Sequence, residues 1–172
     1  MSIAQSLLAE LDHELAVTRK VLERVPESRF AWKPHSKSMS LHDLAGHTAG
    51  ILGWGGMTLA TTELDLSAPF TPPRFESTAH VLAELDRNGA SYRAALVKAT
   101  DADLGVPWTL KAGAQVFFSQ PRAGVLRGFV MNHLIHHRGQ LSVYLRLLDV
   151  PVPSIYGPSA DDNPMGVGKH AS

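Results

Sequence analysis

Apolar residues recur every three to four positions over residues 3–25. Leu7, Leu8, Leu11, Leu15, Thr18 and Leu22 share one side, while Glu10, Glu14, Lys20 and Glu23 are expected off that stripe. A period near 3.6 predicts an amphipathic helix, and Pro26 closes it. Residues 26–39 carry two prolines and several serines and read as a connection, with Ser40 placed to cap a second helix over 41–62. That helix contains Gly46, Gly50, Gly53, Gly55 and Gly56. Each glycine costs about 1 kcal/mol against alanine in a helix, so packing must hold it together, and close helix approach accounts for such residues. Residues 63–75 form a proline-rich loop. Ser77 then opens a third periodic run, through Val81, Leu82, Leu85, Tyr92, Leu96 and Val97, predicting a helix over 77–99.

The helical period is absent from 101–120, where TLKAGAQVFF fits a short hairpin around Gly113, and Pro121 suits the first turn of a last helix over 121–149. From about residue 150 the chain is rich in Pro, Gly and Ser, predicting an irregular arm that packs at first and frays towards its end. With no repeat and no linker, residues 1–172 are expected to form one all-α domain, a four-helix bundle. Connections of roughly 13–20 residues do not enforce the up-down-up-down order that short loops would.

Composition narrows the functions. Sixteen Lys and Arg balance sixteen Asp and Glu, so no global field attracts phosphate backbones or an anionic membrane, and neither nucleic acid nor membrane is an expected partner. The absence of cysteine removes disulfides, thiolate metal sites and a cysteine nucleophile together. Acidic residues at Glu10, Asp12 and Glu14 interrupt the start before any long apolar run, which predicts a cytoplasmic protein without a leader or spanning helix.

Nine histidines supply the commonest metal-binding group. At a constant 100° per residue, Leu126, Val130, His133, His137, Gln140, Leu141, Tyr144 and Leu148 fall on one face of the last helix. Arg127, Arg138, Ser142, Arg146 and Asp149 fall on the outer side. His133 and His137 therefore point inward, and an i, i+4 pair brings two Cβ atoms to about 6 Å, close enough for both rings to reach one ion. His136 sits at the stripe's edge. On the second helix His47 faces inward with Leu44, whereas His42 points outward. His13, His35, His80 and His170 occupy polar or terminal settings and are expected at the surface. Leu134 stands where a zinc peptidase would have its general-base Glu, which removes the peptidase reading. Trp32, Trp54 and Trp108 read as core or pocket wall.

The stretches LHDLAGHTAGILGW and MNHLIHHRGQLSVYLRLLDVPVPSIYGPSADD, with a helical bundle between them, resemble the DinB/YfiT-like family. The resemblance spans about residues 2–162. It implies an up-down-down-up four-helix bundle, commonly homodimeric, that holds a divalent metal through three histidines. Matched residue by residue, His47 takes the place of the family's helix-two ligand, and His133, His137, Arg138 and Gln140 match its HxxxHRxQ pattern. The resemblance further implies a metal-dependent enzyme that uses a low-molecular-weight thiol, such as an S-transferase, with a small-molecule substrate. Nickel or zinc is the expected ion, because histidine-only sites accept several metals. Gln140 or Tyr144 is expected to orient the ligands. The motifs carry no cationic cluster that would mark a carboxylate-bearing thiol. A noncatalytic, metal-braced dimeric binding or stress-response module is the competing reading, and a metal-free helical scaffold is the third.

Overall fold

The computed structural model describes residues 2–166; His170 and the end of the expected arm lie outside the described residues. Helix α1 (Ile3–Leu22) starts at a capping box, in which the Ser2 hydroxyl accepts the Gln5 N–H at 3.2 Å and Gln5 returns an acceptor to the Ser2 N–H at 2.9 Å. A 3₁₀ turn at Glu27–Arg29 leads towards α2 (Leu41–Ala60), capped by Ser40 as the sequence predicts. Four of the α2 glycines sit against neighbours. A Cβ would come within 2.5 Å of the Phe75 ring at Gly46 and of Tyr92 at Gly55, and within 3.3 Å of Asn88 at Gly53 and of Ser91 at Gly56.

The expected loop after α2 begins with a short strand, β1 (Glu63–Asp65), and α3 (Thr78–Lys98) follows its Ser77 cap. A one-turn helix, α4 (Asp101–Gly105), precedes the hairpin β2 (Pro107–Ala112) and β3 (Gln115–Pro121). Gly113 turns that hairpin with φ of 57°, a left-handed conformation that glycine adopts without a Cβ clash. The strands form a three-stranded sheet in the order β1-β2-β3, parallel between the first two and antiparallel between the last two. It is a small addition to an all-α protein. The final rod runs through α5 (Arg122–Gly124), a π-helical segment (Val125–Met131) and α6 (Asn132–Leu147).

Residue pairings fix the directions of the helices. Asp12, Leu15 and Arg19 of α1 meet Arg93, Gly89 and Asp86 of α3 in descending order, so these helices are antiparallel. Ala49 and Gly53 meet Asn88, and Gly55 and Gly56 meet Tyr92 and Ser91, so α2 and α3 run parallel. The rod is parallel to α1 (Arg127 on Glu10, Arg138 on Glu14) and antiparallel to α2 (Phe129 on Trp54, His137 on His47). The order is up-down-down-up. The main core joins Leu7, Leu11, Leu41, Leu52, Leu85, Tyr92, Leu134 and Leu141, and a small second core of Trp108, Leu110 and Val125 seats the sheet. Among the described residues no helix is long and apolar enough to cross a membrane.

Two charged residues overturn expectation. Arg138, placed outward by a constant helical period, is 1% exposed, and Glu14, placed off the α1 stripe, is 4% exposed. The buried positions of α6 are Leu134, Arg138, Leu141 and Leu145, one residue on from the expected stripe. The cause is the π-helical segment, whose wider i→i+5 turns add a residue and rotate everything after them relative to an unbroken α-helix. The Arg138 guanidinium donates to the Glu14 carboxylate, to Thr18 Oγ1 at 3.2 Å and to the Tyr156 hydroxyl, which in turn donates to Glu14 at 2.8 Å. Tyr156 belongs to the segment after α6, where Asp161 and Asp162 accept the Val152 and Ser154 N–H groups at 2.8 Å each and fold the arm back on the bundle.

A buried pair that loses one partner leaves a charge without compensation. The Glu14→Ala variant is therefore expected to lose about 3–5 kcal/mol of stability, with most of it recovered in Glu14→Leu/Arg138→Met. Urea denaturation of the three proteins measures this.

Candidate metal centre

The π-helical segment and α2 together build the site. Phe129, in that segment, stacks on Trp54 of α2 with ring centroids 4.9 Å apart and planes within 6°. This contact brings the rod against α2 where His47 and His133 meet. His47 Nε2 and His133 Nε2 are 3.3 Å apart, and the ring centroids of His47 and His137, and of His133 and His137, are separated by 4.7 and 4.6 Å. One ligand nitrogen from each ring lies within 4.8 Å of the other two. Among the described residues this is the one group of three His, Asp or Glu side chains that close together, and all three are half-buried.

The surroundings keep the three rings neutral. Burial and the neighbouring His137, His47 and His136 rings push His133 down to about 4, against only a weak opposing contribution from the Phe129 carbonyl one turn back. Burial first and then His137 lower His47; burial lowers His137, with Gln140 working in the other direction. Neutral imidazoles each offer a lone pair, the form a metal ion requires. His133 turns Nε2 to His47, and its buried Nδ1 lies towards the Phe129 carbonyl without a hydrogen bond of good geometry.

Gln140 sets the proton on His137. Its carbonyl oxygen lies 2.7 Å from His137 Nδ1 and its amide nitrogen 3.1 Å from His136 Nε2. The amide can accept only from Nδ1–H and donate only to a lone pair, so His137 carries its proton on Nδ1 and leaves Nε2 free. Of the two residues expected to orient the ligands, the structure brings Gln140 to the cluster. Tyr144 instead donates to the Met39 carbonyl at 3.3 Å and packs edge-on against Trp32.

The other histidines divide as follows. His136 is exposed and stays outside the group of three. His13, His35 and His80 are exposed, as expected. His42 is not the free surface residue predicted, for its side chain is 20% exposed. Its Nδ1 lies 3.0 Å from Asp43 Oδ1, and its Nε2 accepts the Phe75 N–H at 3.0 Å. It ties the connection between α2 and α3 onto α2. No periodicity signals that role, because the partner amide lies 33 residues away.

An apolar cavity of about 260 Å³ opens beside His47, walled by Ile51 and Trp54 of α2, Met39, and Phe70, Pro72 and Phe75 of the connection. Asp43, at its edge, is held below the usual carboxylate range by the His42 side chain and then by Ser40. Trp54 is pocket wall and Trp108 core, both within the sequence reading.

The DinB family model matches residues 1–164. The chain belongs to the DinB family. A curated relative, the uncharacterized protein YrdA of Bacillus subtilis, is 27% identical over 158 residues, covering 90% of this chain and 89% of its own. A DinB-like protein from Bacillus cereus superposes with a TM-score of 0.68 at 20% identity, covering 88% of this chain and 97% of that one. A DinB-like protein from Bacillus subtilis, YjoA, gives 0.65 at 18% identity, covering 84% and 92%. The fold is shared with both.

A base whose folded pKa lies below its unfolded value binds fewer protons when folded, so stability falls as pH drops below the unfolded value. For His133 the window runs from the ordinary 6.5 down to about 4. Metal-free protein is expected to lose thermal stability across that window, and His133→Leu is expected to flatten the profile. Melting curves of chelator-treated protein from pH 7 to pH 4 check both expectations.

Proposed function

We propose that this DinB-family protein is a divalent-metal-dependent enzyme in which His47, His133 and His137 hold the ion and a low-molecular-weight thiol acts as cosubstrate in an S-transfer reaction. The observation that carries the reading is the convergence of three neutral imidazoles, one of which, His47, lines an apolar cavity. Three protein donors leave at least one coordination position for an outside molecule, whereas closed structural sites usually have four. When bound, the ion would supply Lewis acidity, making a thiol or water at that position acidic enough to act as a nucleophile near neutral pH.

The chain's own residues then have distinct tasks. Gln140 fixes the His137 tautomer so that Nε2 faces the cluster. Trp54 and Phe129 shield the rings from water and keep them unprotonated. The cavity beside His47 receives the reacting partner. Nickel or zinc suits a histidine-only donor set. We also propose that the protein works as a homodimer in the cytoplasm, an expectation carried by its family.

Tag-free protein is expected to hold about one nickel or zinc ion per chain by elemental analysis, with His133→Ala and His137→Ala folded but metal-free by circular dichroism and the same analysis. Metal-loaded wild type is then expected to consume a small thiol in the presence of an electrophile, and the two variants are not. A folded wild type without metal would overturn the proposal. Metal uptake without turnover, together with unfolding on chelation, would favour the noncatalytic brace. Sedimentation giving a monomer at micromolar concentration would overturn the homodimer.

A further inference from the structure

Gly50 differs from the other glycines of α2. Gly46, Gly53, Gly55 and Gly56 each approach a side chain that a Cβ would crowd, but a Cβ at Gly50 meets nothing within 4 Å. Gly50 lines the cavity beside His47, one turn from Trp54. Helix–helix packing therefore gives no reason for the residue there that helices tolerate worst after proline. The space it leaves is cavity space.

The cavity also has a definite chemical character. Its walls are Met39, Ile51, Trp54, Phe70, the two prolines Pro72 and Pro73, and Phe75, and the charged group among its lining residues is an acid, Asp43. Among the described residues no lysine or arginine lines it. In the metal-free protein a carboxylate or phosphate entering would be desolvated without a cationic partner and would meet Asp43 as well. At about 260 Å³ it is smaller than the roughly 300–1,000 Å³ typical of sites for drug-sized ligands, which suits a single ring. Trp54 and Phe75 offer that ring edges and faces to pack against.

We infer that this cavity is the specificity pocket for a compact, uncharged aromatic molecule, and that Gly50 lacks a side chain to leave room for it. As the seat of the electrophilic substrate it rests on the metalloenzyme reading above; as a binding site it stands on the cavity alone. The occupant's reactive carbon would lie towards His47, the one member of the histidine cluster that lines the cavity.

The test uses toluene and benzoate as probes of the full-length protein, with and without metal, by saturation-transfer NMR and titration at pH 7. Toluene is expected to bind in both forms, and benzoate at least about tenfold more weakly than toluene in the metal-free form, where no cation can hold its carboxylate. Gly50→Leu is expected to weaken toluene by a similar factor while metal uptake by elemental analysis is unchanged. Gly50→Ala, which places one methyl group in open space, is expected to melt higher than wild type and bind toluene with intermediate affinity. Equal affinity in wild type, Gly50→Ala and Gly50→Leu would overturn the inference, as would benzoate binding to the metal-free form as tightly as toluene. Metal uptake without toluene binding overturns the pocket and spares the metalloenzyme reading; toluene binding without metal uptake does the reverse. Concentration-dependent self-association abolished by Gly50→Leu would overturn it too, making the cavity a seat for a second copy.

Discussion

The rotation of α6 about its own axis is set by one buried ion pair. Arg138 reaches Glu14 on α1 while its neighbour His137 turns to His47 on α2. Adjacent helical residues point about 100° apart, so both contacts form only when the rod lies in the groove between α1 and α2. An apolar residue at position 138 would bury as well but could settle at several angles. The guanidinium fork cannot, because it has to satisfy Glu14, Thr18 and the Tyr156 hydroxyl together. Desolvating that pair gives back much of its attraction; what it secures is the angle at which the histidines leave the helix.

The π-helical segment makes that angle compatible with the rest of the rod. Upstream, Leu126 and Val130 are fully buried; downstream, the buried line passes through Leu134 and Arg138. Four-residue steps in an α-helix drift around the axis, and the extra residue of the π turn absorbs the drift. The segment also ends two residues before His133, and a local distortion beside a cluster of functional side chains is a common place for such a turn. The sequence held little sign of this, since the segment reads as ordinary helix former apart from Gly128.

What could be read from the residues alone were the features with local causes. Ser40 and Ser77 cap helices through their own hydroxyls, Gly113 turns a hairpin, and His47, His133 and His137 share inward phases on strongly periodic segments. What escaped depended on partners distant in the chain. Strand β1 exists because Glu63–Asp65 can pair with β2, more than forty residues away. The burial of Arg138 depends on Glu14, and the role of His42 on the Phe75 amide. The uniform period that singled out the three histidines the structure brings together is the same assumption that put Arg138 in solvent.

The topology explains why a pocket stands where it does. Parallel α2 and α3 require the chain leaving the end of α2 to travel back along the bundle before α3 can begin. The 61–77 segment makes that journey, and its outward half pairs as β1 while its return half, rich in proline, lies along α2 with Phe70, Pro72 and Phe75 over Gly46 and Gly50. Proline removes backbone donors that an apolar wall could not satisfy, and His42 accepts the one at Phe75. A short loop between antiparallel helices would have left this face of α2 open to solvent, with His47 exposed and protonated at a higher pH. The connection that the helix order demands is thus also what desolvates the cluster and shapes the cavity beside it.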